Sequence, residues 1–303
     1  MTQNTFLSLM AIGDAFGMKY EFAEHSQNAT KDDLSYGPHP KYKEYQATRY
    51  TDDTQMSLAN AKVLLKFKEN LNDVTADDFI NAWLTQFQKD PRLGYSQYMY
   101  GVLSNSQTTT EFKDSLDPNR GHTGGAVMRS APFGFVKDKN MVKKLALMQA
   151  EITHNTPAGR TSALACALSI YFLRNGGKKS DLMTFLDTEL GPNWCTEKNG
   201  FDPDPHNGLK IFSSALSAFL NADTLSDILL TAVNQEKRSD TDTVCAIAMC
   251  LAANSTEVQH DLPPSLTEHI ENKEYGYDYL KAFDKKFLSE FKRPDRPALP
   301  KVG

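Results

Sequence analysis

An all-α fold is expected from three features of the sequence. Apolar residues recur mostly at helical spacing along the 303-residue chain. Two stretches, Ala163 to Leu173 and Val244 to Ala253, are apolar nearly all round, as central buried helices are. Period-two alternation is lacking, and no hairpin dipeptide lies between β-branched runs. In chain order, Gly13 and Gly17, four apart, mark a close helix contact. Met56, Ala59, Val63 and Phe67 then line one helix face, and Phe79, Trp83 and Phe87 line another. The Ala163 stretch ends at Asn175-Gly176-Gly177, a C-cap signature. Small residues in the two apolar stretches allow neighbouring helices to approach closely. Tyr279, Phe283, Phe287 and Phe291 form a last amphipathic stripe, closed by Pro294 and Pro297. Glu24 to Arg49, Ser104 to Gly124, Gly191 to Pro205 and Arg293 to Gly303 are rich in Pro, Gly, Asn or Asp and are expected to be irregular. No fixed-period repeat or linker is visible. One domain over 1–303, with a flexible tail from 293, is the expectation.

Composition narrows the function classes. Hydrophobic residues make up 40% and charged residues 23%, which suits a sizeable core and argues against wholesale disorder. The 33 basic and 38 acidic residues leave a net charge of −5, so neither nucleic acid nor an anionic membrane is the expected partner. Of the four cysteines, Cys166, Cys245 and Cys250 sit in apolar runs, and no CxxC pair accompanies them or Cys195. A zinc site or disulfide framework is therefore not expected, and a reducing compartment such as the cytoplasm is. The first residues lack a basic signal-peptide region, and no apolar run is long enough to span a bilayer. A monomer is expected.

Two clusters carry the chemistry. Thr51-Asp52-Asp53-Thr54 directly precedes the Met56 helix, and Ser239-Asp240-Thr241-Asp242-Thr243 directly precedes the Val244 helix. Either alone is explained by helix capping, since Ser, Thr and Asp are preferred N-caps and Asp suits the first turn. A cap needs one such residue, however, and each cluster supplies at least four. The second opens an apolar helix, where adjacent carboxylates are costly unless a cation or donors compensate. Hard oxygen ligands suit Mg²⁺, Mn²⁺ or Ca²⁺ rather than zinc.

Five short motifs follow one another along the chain: Ala11-Ile12-Gly13-Asp14-Ala15-Phe16-Gly17 with Glu21-Phe22, Thr51 to Thr54, Gly125 to Pro132, Thr153 to Pro157 and Ser239 to Thr243. In that order they resemble the GDAxG…E, TDDT, GAxMRxxP, THxxP and GDTDT motifs of the ADP-ribosylglycohydrolase family, which includes dinitrogenase reductase-activating glycohydrolases and human ADP-ribosyl hydrolases. The resemblance implies an all-helical bundle and two Mg²⁺ or Mn²⁺ ions. Thr51, Asp52 and Asp53 would ligate from one side and Asp240, Asp242 and Thr243 from the other. It also implies release of ADP-ribose from a modified protein side chain, arginine first, with Asp52 or Glu21 as the catalytic carboxylate. Substrate contacts would come from Thr123, Gly124, Gly125, Met128 and His154. Asp14 would brace the metal loop, Arg129 would brace an acidic ligand, and Tyr95 or Tyr98 would stack on adenine.

Two departures touch substrate contacts rather than ligands. Arg238-Ser239 stands where the family has Gly-Gly, and Gly124 stands where it favours Asn. The competing readings are hydrolysis of a serine or ester linkage, a homologue that binds ADP-ribose or is structural without turnover, and a two-metal phosphoesterase, which the lack of a His-rich ligand set disfavours.

Overall fold

The computed structural model describes residues 5–23, 28–117, 119–199, 201–235 and 240–293. The all-α expectation holds: helices make up the regular structure of the described residues, and β pairing is limited to a single bridge between Thr224 and Gln259. In chain order the helices are α1 (Phe6–Gly17), α2 (Asp52–Lys66), α3 (Ala76–Lys89), α4 (Gln97–Asn105), α5 (Thr109–Asp114), α6 (Lys139–Thr153) and α7 (Pro157–Arg174). They continue with α8 (Leu182–Leu190), α9 (Gly208–Leu220), α10 (Leu225–Val233), α11 (Thr241–Asn254), α12 (Pro264–Thr267) and α13 (Tyr277–Glu290).

Helix α1 is buried along its whole length and lies against α11. The expected close contact is real. A Cβ on Gly13 would stand 2.5 Å from the carbonyl oxygen of Cys245, and one on Gly17 would stand 2.6 Å from that of Thr241. Helices α7, α9 and α10 pack around α11, while α2 and α13 pack on α1. The start of α1 is tied to α13 by buried Asp284, whose carboxylate accepts the Leu7 and Ser8 amides at 3.0 Å each. This satisfies donors that a helix start leaves without partners. The two all-apolar stretches are α7 and α11, as expected. Helix α7 ends in a Schellman motif: Gly176 adopts φ +86°, its N–H donates to Leu173 O, and Gly177 N–H donates to Phe172 O.

One expectation needs correcting. The stretch from Ser104 to Gly124 contains α5, which begins at Thr108 with a reciprocal capping box to Glu111. The face of α13 that faces the core is Tyr277, Leu280, Asp284 and Phe287, leaving Tyr279 and Phe283 on its flank. The aromatic stripe still meets the core: Phe287 and Phe291 are buried, Tyr279 and Phe283 pack against it, and Asp284 adds a buried cap to the same side. The tail beyond Arg293, with Pro294 and Pro297, lies outside the described residues. All four cysteines are free, three of them buried. Among the described residues, no helix is long and apolar enough to cross a membrane.

Candidate metal centre

The α1–α11 contact and the start of α2 bring acidic side chains from three parts of the chain to one place. One carboxylate oxygen each of Asp14, Asp53 and Asp242 lie within 4.8 Å of one another, and all three residues are buried. Such a group could hold a metal ion. Asp14 is saturated by protein donors. Its Oδ1 accepts the Thr51 hydroxyl at 2.7 Å and the Thr51 amide at 2.9 Å, and its Oδ2 accepts the Thr54 hydroxyl at 2.7 Å and the Thr54 amide at 3.1 Å. With its lone pairs engaged, Asp14 holds the start of α2 from outside that helix. Asp53 Oδ1 and Asp242 Oδ1 differ from it. Both are buried and have no hydrogen-bond partner among the described residues.

Capping does not explain the two acidic clusters. Thr51 and Asp240 occupy the N-cap positions of α2 and α11, yet neither side chain makes a cap hydrogen bond. That leaves Asp52, Asp53 and Asp242 in first turns, where the helix dipole favours negative charge. The same crowding works against ionisation. Burial, then Asp14 and neighbouring carboxylates, push Asp52 and Asp53 well above the usual carboxylate range. Burial, then Glu21 and Asp53, do the same to Asp242. Asp240 is also raised by burial, against hydrogen bonds from Thr243 and Asp242 that pull it down. Thr243 likewise pulls Asp53 down. Repulsion among so many buried carboxylates is what a bound cation would relieve. The donor set is all hard oxygen, which fits Mg²⁺ or Mn²⁺.

Glu21 borders this group. Burial, then Asp240 and Asp52, raise its carboxyl to about 9. It is held at 2.8 Å by His39 Nε2. His39 Nδ1 accepts the amides of Lys41 and Tyr42 at 2.9 and 2.8 Å, so Nε2 carries the proton and donates to Glu21. His39 was not singled out in the sequence, where it sits in an irregular Pro-flanked stretch with no periodic signal. Gly94 was likewise passed over as one residue of a Tyr-containing segment. It adopts φ +106°, and a Cβ there would meet Thr51 Cβ at 2.6 Å and crowd Asp52. Only glycine suits that backbone at that proximity.

The glycine-rich segment lies beside the acids. A Cβ on Gly124 would stand 3.1 Å from Asp240 Oδ2, and one on Gly125 2.6 Å from His154 Cε1. Thr123 is exposed, and its hydroxyl is 3.3 Å from His154 Nε2. His154 is buried, and burial, then Arg129, lower its imidazole to about 3. The structure thus gathers Glu21, Thr51, Asp52, Asp53, Asp240, Asp242 and Thr243 in one cluster, with Gly124 against it and Thr123, Gly125 and His154 adjoining. Met128 stands apart, its side chain within the hydrophobic core and its carbonyl accepting Ser57 Oγ.

Three weaker expectations are redirected. Arg129 is neither a surface residue nor bound to an acid: it is buried over Trp83 and donates to Gln149 and Thr153. Tyr95 packs against Phe87 and donates to Gln55. Tyr98 donates to Ser115 O and carries Arg120 over one face of its ring. Arg238 and Ser239, the departure before the second acidic cluster, lie outside the described residues.

The chain is 28% identical to ADP-ribosylhydrolase ARH3 of Bos taurus over 197 residues, covering 59% of this chain and 51% of that protein. Against ADP-ribosylhydrolase ARH3 of Homo sapiens the identity is 29% over 157 residues, 48% of this chain and 40% of that one. The chain thus spans about half the length of the relatives it matches. A solved structure titled ADP-ribosylglycohydrolase-related protein complex shares the fold, with a TM-score of 0.71 over 95% of both chains at 19% identity. The model of the family described as ADP-ribosylglycohydrolase matches residues 6–297, and with that span the chain belongs to the ADP-ribosylglycohydrolase family.

Proposed function

We propose that the protein is a metal-dependent ADP-ribosyl hydrolase that releases ADP-ribose from a modified protein side chain, with arginine as the first acceptor to test and two Mg²⁺ or Mn²⁺ ions as cofactor. One observation carries the metal part of this reading. Asp53 Oδ1 and Asp242 Oδ1 are buried carboxylate oxygens without a hydrogen-bond partner, on two helices whose N-cap side chains do not cap. Burial of that kind is sustained when a cation occupies the gap. Thr51, Asp52, Asp53, Asp240, Asp242 and Thr243 are the proposed ligands. When bound, the cations would supply Lewis-acid polarisation and a more acidic water.

The chain's own groups would do the rest. Asp52 or Glu21 would handle the proton as the glycosidic bond at the distal ribose breaks through an oxocarbenium-like transition state. His39 fixes the Glu21 carboxyl in one orientation. Thr123, Gly124 and Gly125 would seat the diphosphate with backbone N–H groups, as anion nests do, and His154 backs that loop. A reducing compartment suits the four free thiols.

The test is release of ADP-ribose from an ADP-ribosylated arginine protein, with Mg²⁺ and then with EDTA. Metal-dependent release is expected. If arginine fails while a serine-linked substrate is cleaved, the linkage assignment changes. If no linkage is cleaved but ADP-ribose binds, the protein is a binder rather than a hydrolase.

A further inference from the structure

Behind the glycine-rich segment lies a hydrogen-bond chain that starts at a buried cation. Arg129 is 1% exposed and makes no ion pair among the described residues. Its Nε donates to Gln149 Oε1 at 2.6 Å, and its Nη2 donates to Thr153 Oγ1 at 2.6 Å. Guanidinium only donates, so Thr153 Oγ1 accepts there and its own hydrogen is free for another partner. His154 Nδ1 lies 2.7 Å from it. With the Thr153 hydrogen directed there, Nδ1 is the accepting nitrogen and Nε2 carries the ring proton. Nε2 lies 3.3 Å from Thr123 Oγ1, the next link. If Nε2 donates, Thr123 accepts and its own hydrogen turns outward, on an exposed side chain. Each link thus fixes the polarity of the next.

The loop is built onto this chain. Gly121, at φ +115°, leaves no room for a side chain: a Cβ there would stand 2.6 Å from His154 Cα. Gly121 O accepts the Thr156 hydroxyl at 2.6 Å. The His154 ring likewise fills the space behind Gly125. The ring cannot turn freely, which is what a fixed polarity needs.

We propose that Arg129 and Thr153 are positioning residues that lock His154 as its Nε2–H tautomer and so present the Thr123 hydroxyl as a donor to a phosphate oxygen of the bound diphosphate. This rests on the reading of the site as one for ADP-ribose, and it assigns the loop's side-chain donor to a relay that begins at a buried arginine. A donor delivered this way suits an anionic ligand; an accepting hydroxyl would repel one.

Three measurements test it. In the wild-type protein, ¹⁵N shifts of the His154 ring should show Nδ1 unprotonated and Nε2 protonated near neutral pH; the reverse tautomer overturns the relay outright. By calorimetry, Thr153→Val should bind ADP-ribose about tenfold more weakly, the scale of one hydrogen bond to a charged group. Thr153→Ser should restore binding. Thr123→Val should lose about the same factor, and the double variant should lose little more than either single one, because both remove the same donor. Multiplying losses, or a Thr153→Val affinity equal to wild type, would mean that Thr153 only fills space. If the wild-type protein bound no ADP-ribose, the proposed function would fall, while the tautomer would still decide the relay.

Discussion

At the scale of the residue, the question is what a carboxylate oxygen costs when it is buried without a donor. A group of that kind destabilises the fold unless a cation compensates, and removing its charge relieves repulsion. Asp242→Asn should therefore leave the metal-free protein as stable as wild type or more so. It should also abolish the stabilisation that Mg²⁺ gives the wild type. Thermal melts with EDTA and with Mg²⁺ read both effects; an equal Mg²⁺ shift in wild type and variant would remove Asp242 from the ligand set. Asp14 predicts the opposite pattern. Its carboxylate serves the amides and hydroxyls of Thr51 and Thr54. Asp14→Ala would leave buried donors without partners, at about 3 kcal/mol or more. Urea denaturation in EDTA should show that loss before any metal is added. A variant as stable as wild type would mean that Asp14 is a ligand rather than a brace.

At the scale of the element, the acids sit close together because two helices touch without side chains between them. Gly17→Ala would put a methyl 2.6 Å from the Thr241 carbonyl at the start of α11. The expected result is a loss of about 1–3 kcal/mol from overpacking, with weaker Mg²⁺ stabilisation because Asp242 moves with α11. If Gly17→Ala melts like wild type, the α1–α11 contact is looser than the structure has it. This contact was legible in the sequence as two glycines four apart, and the two buried helices were legible as runs without a polar face. Both signals are local and periodic. What stayed hidden depends on partners distant in sequence. Asp284 reads as a surface acid of an amphipathic helix until α1 is placed against it. His39 reads as a loop residue until Glu21 is 2.8 Å away. Arg129 was visible as part of a motif, but its uncharged partners Gln149 and Thr153 lie on α6, and no spacing rule connects them.

At the scale of the whole molecule, the buried acids should make stability depend on pH in a way that a bound cation removes. Glu21 is raised from 4.5 to about 9. A raised carboxyl binds its proton more tightly in the folded state, so its contribution is fully present below about 4.5 and is lost as pH climbs through about 9. Asp52, Asp53 and Asp242 are shifted in the same direction. His154 opposes them on the acid side. Lowered from 6.5 to about 3, it destabilises the fold as pH falls, with a slope that fades within about one pH unit above 6.5, and burial lowers His39 and His260 in the same sense. On the alkaline side, Lys62, lowered from 10.5 to about 8, adds stability with rising pH only from about 8 upward. Between pH 6.5 and 8 the raised carboxylates outweigh the fading contribution of the histidines. There the metal-free protein should lose stability as pH rises, by about 2 kcal/mol for one proton held in the folded state and not in the unfolded one. Saturating Mg²⁺ should flatten that slope, since the folded state then has no reason to keep the proton. Denaturant titrations at pH 6.5, 7.2 and 8, in EDTA and in Mg²⁺, separate the cases. A metal-free stability that is level or rises across the window would mean that the acids are already ionised and paired within the protein, and the cluster would then need no cation to hold it together.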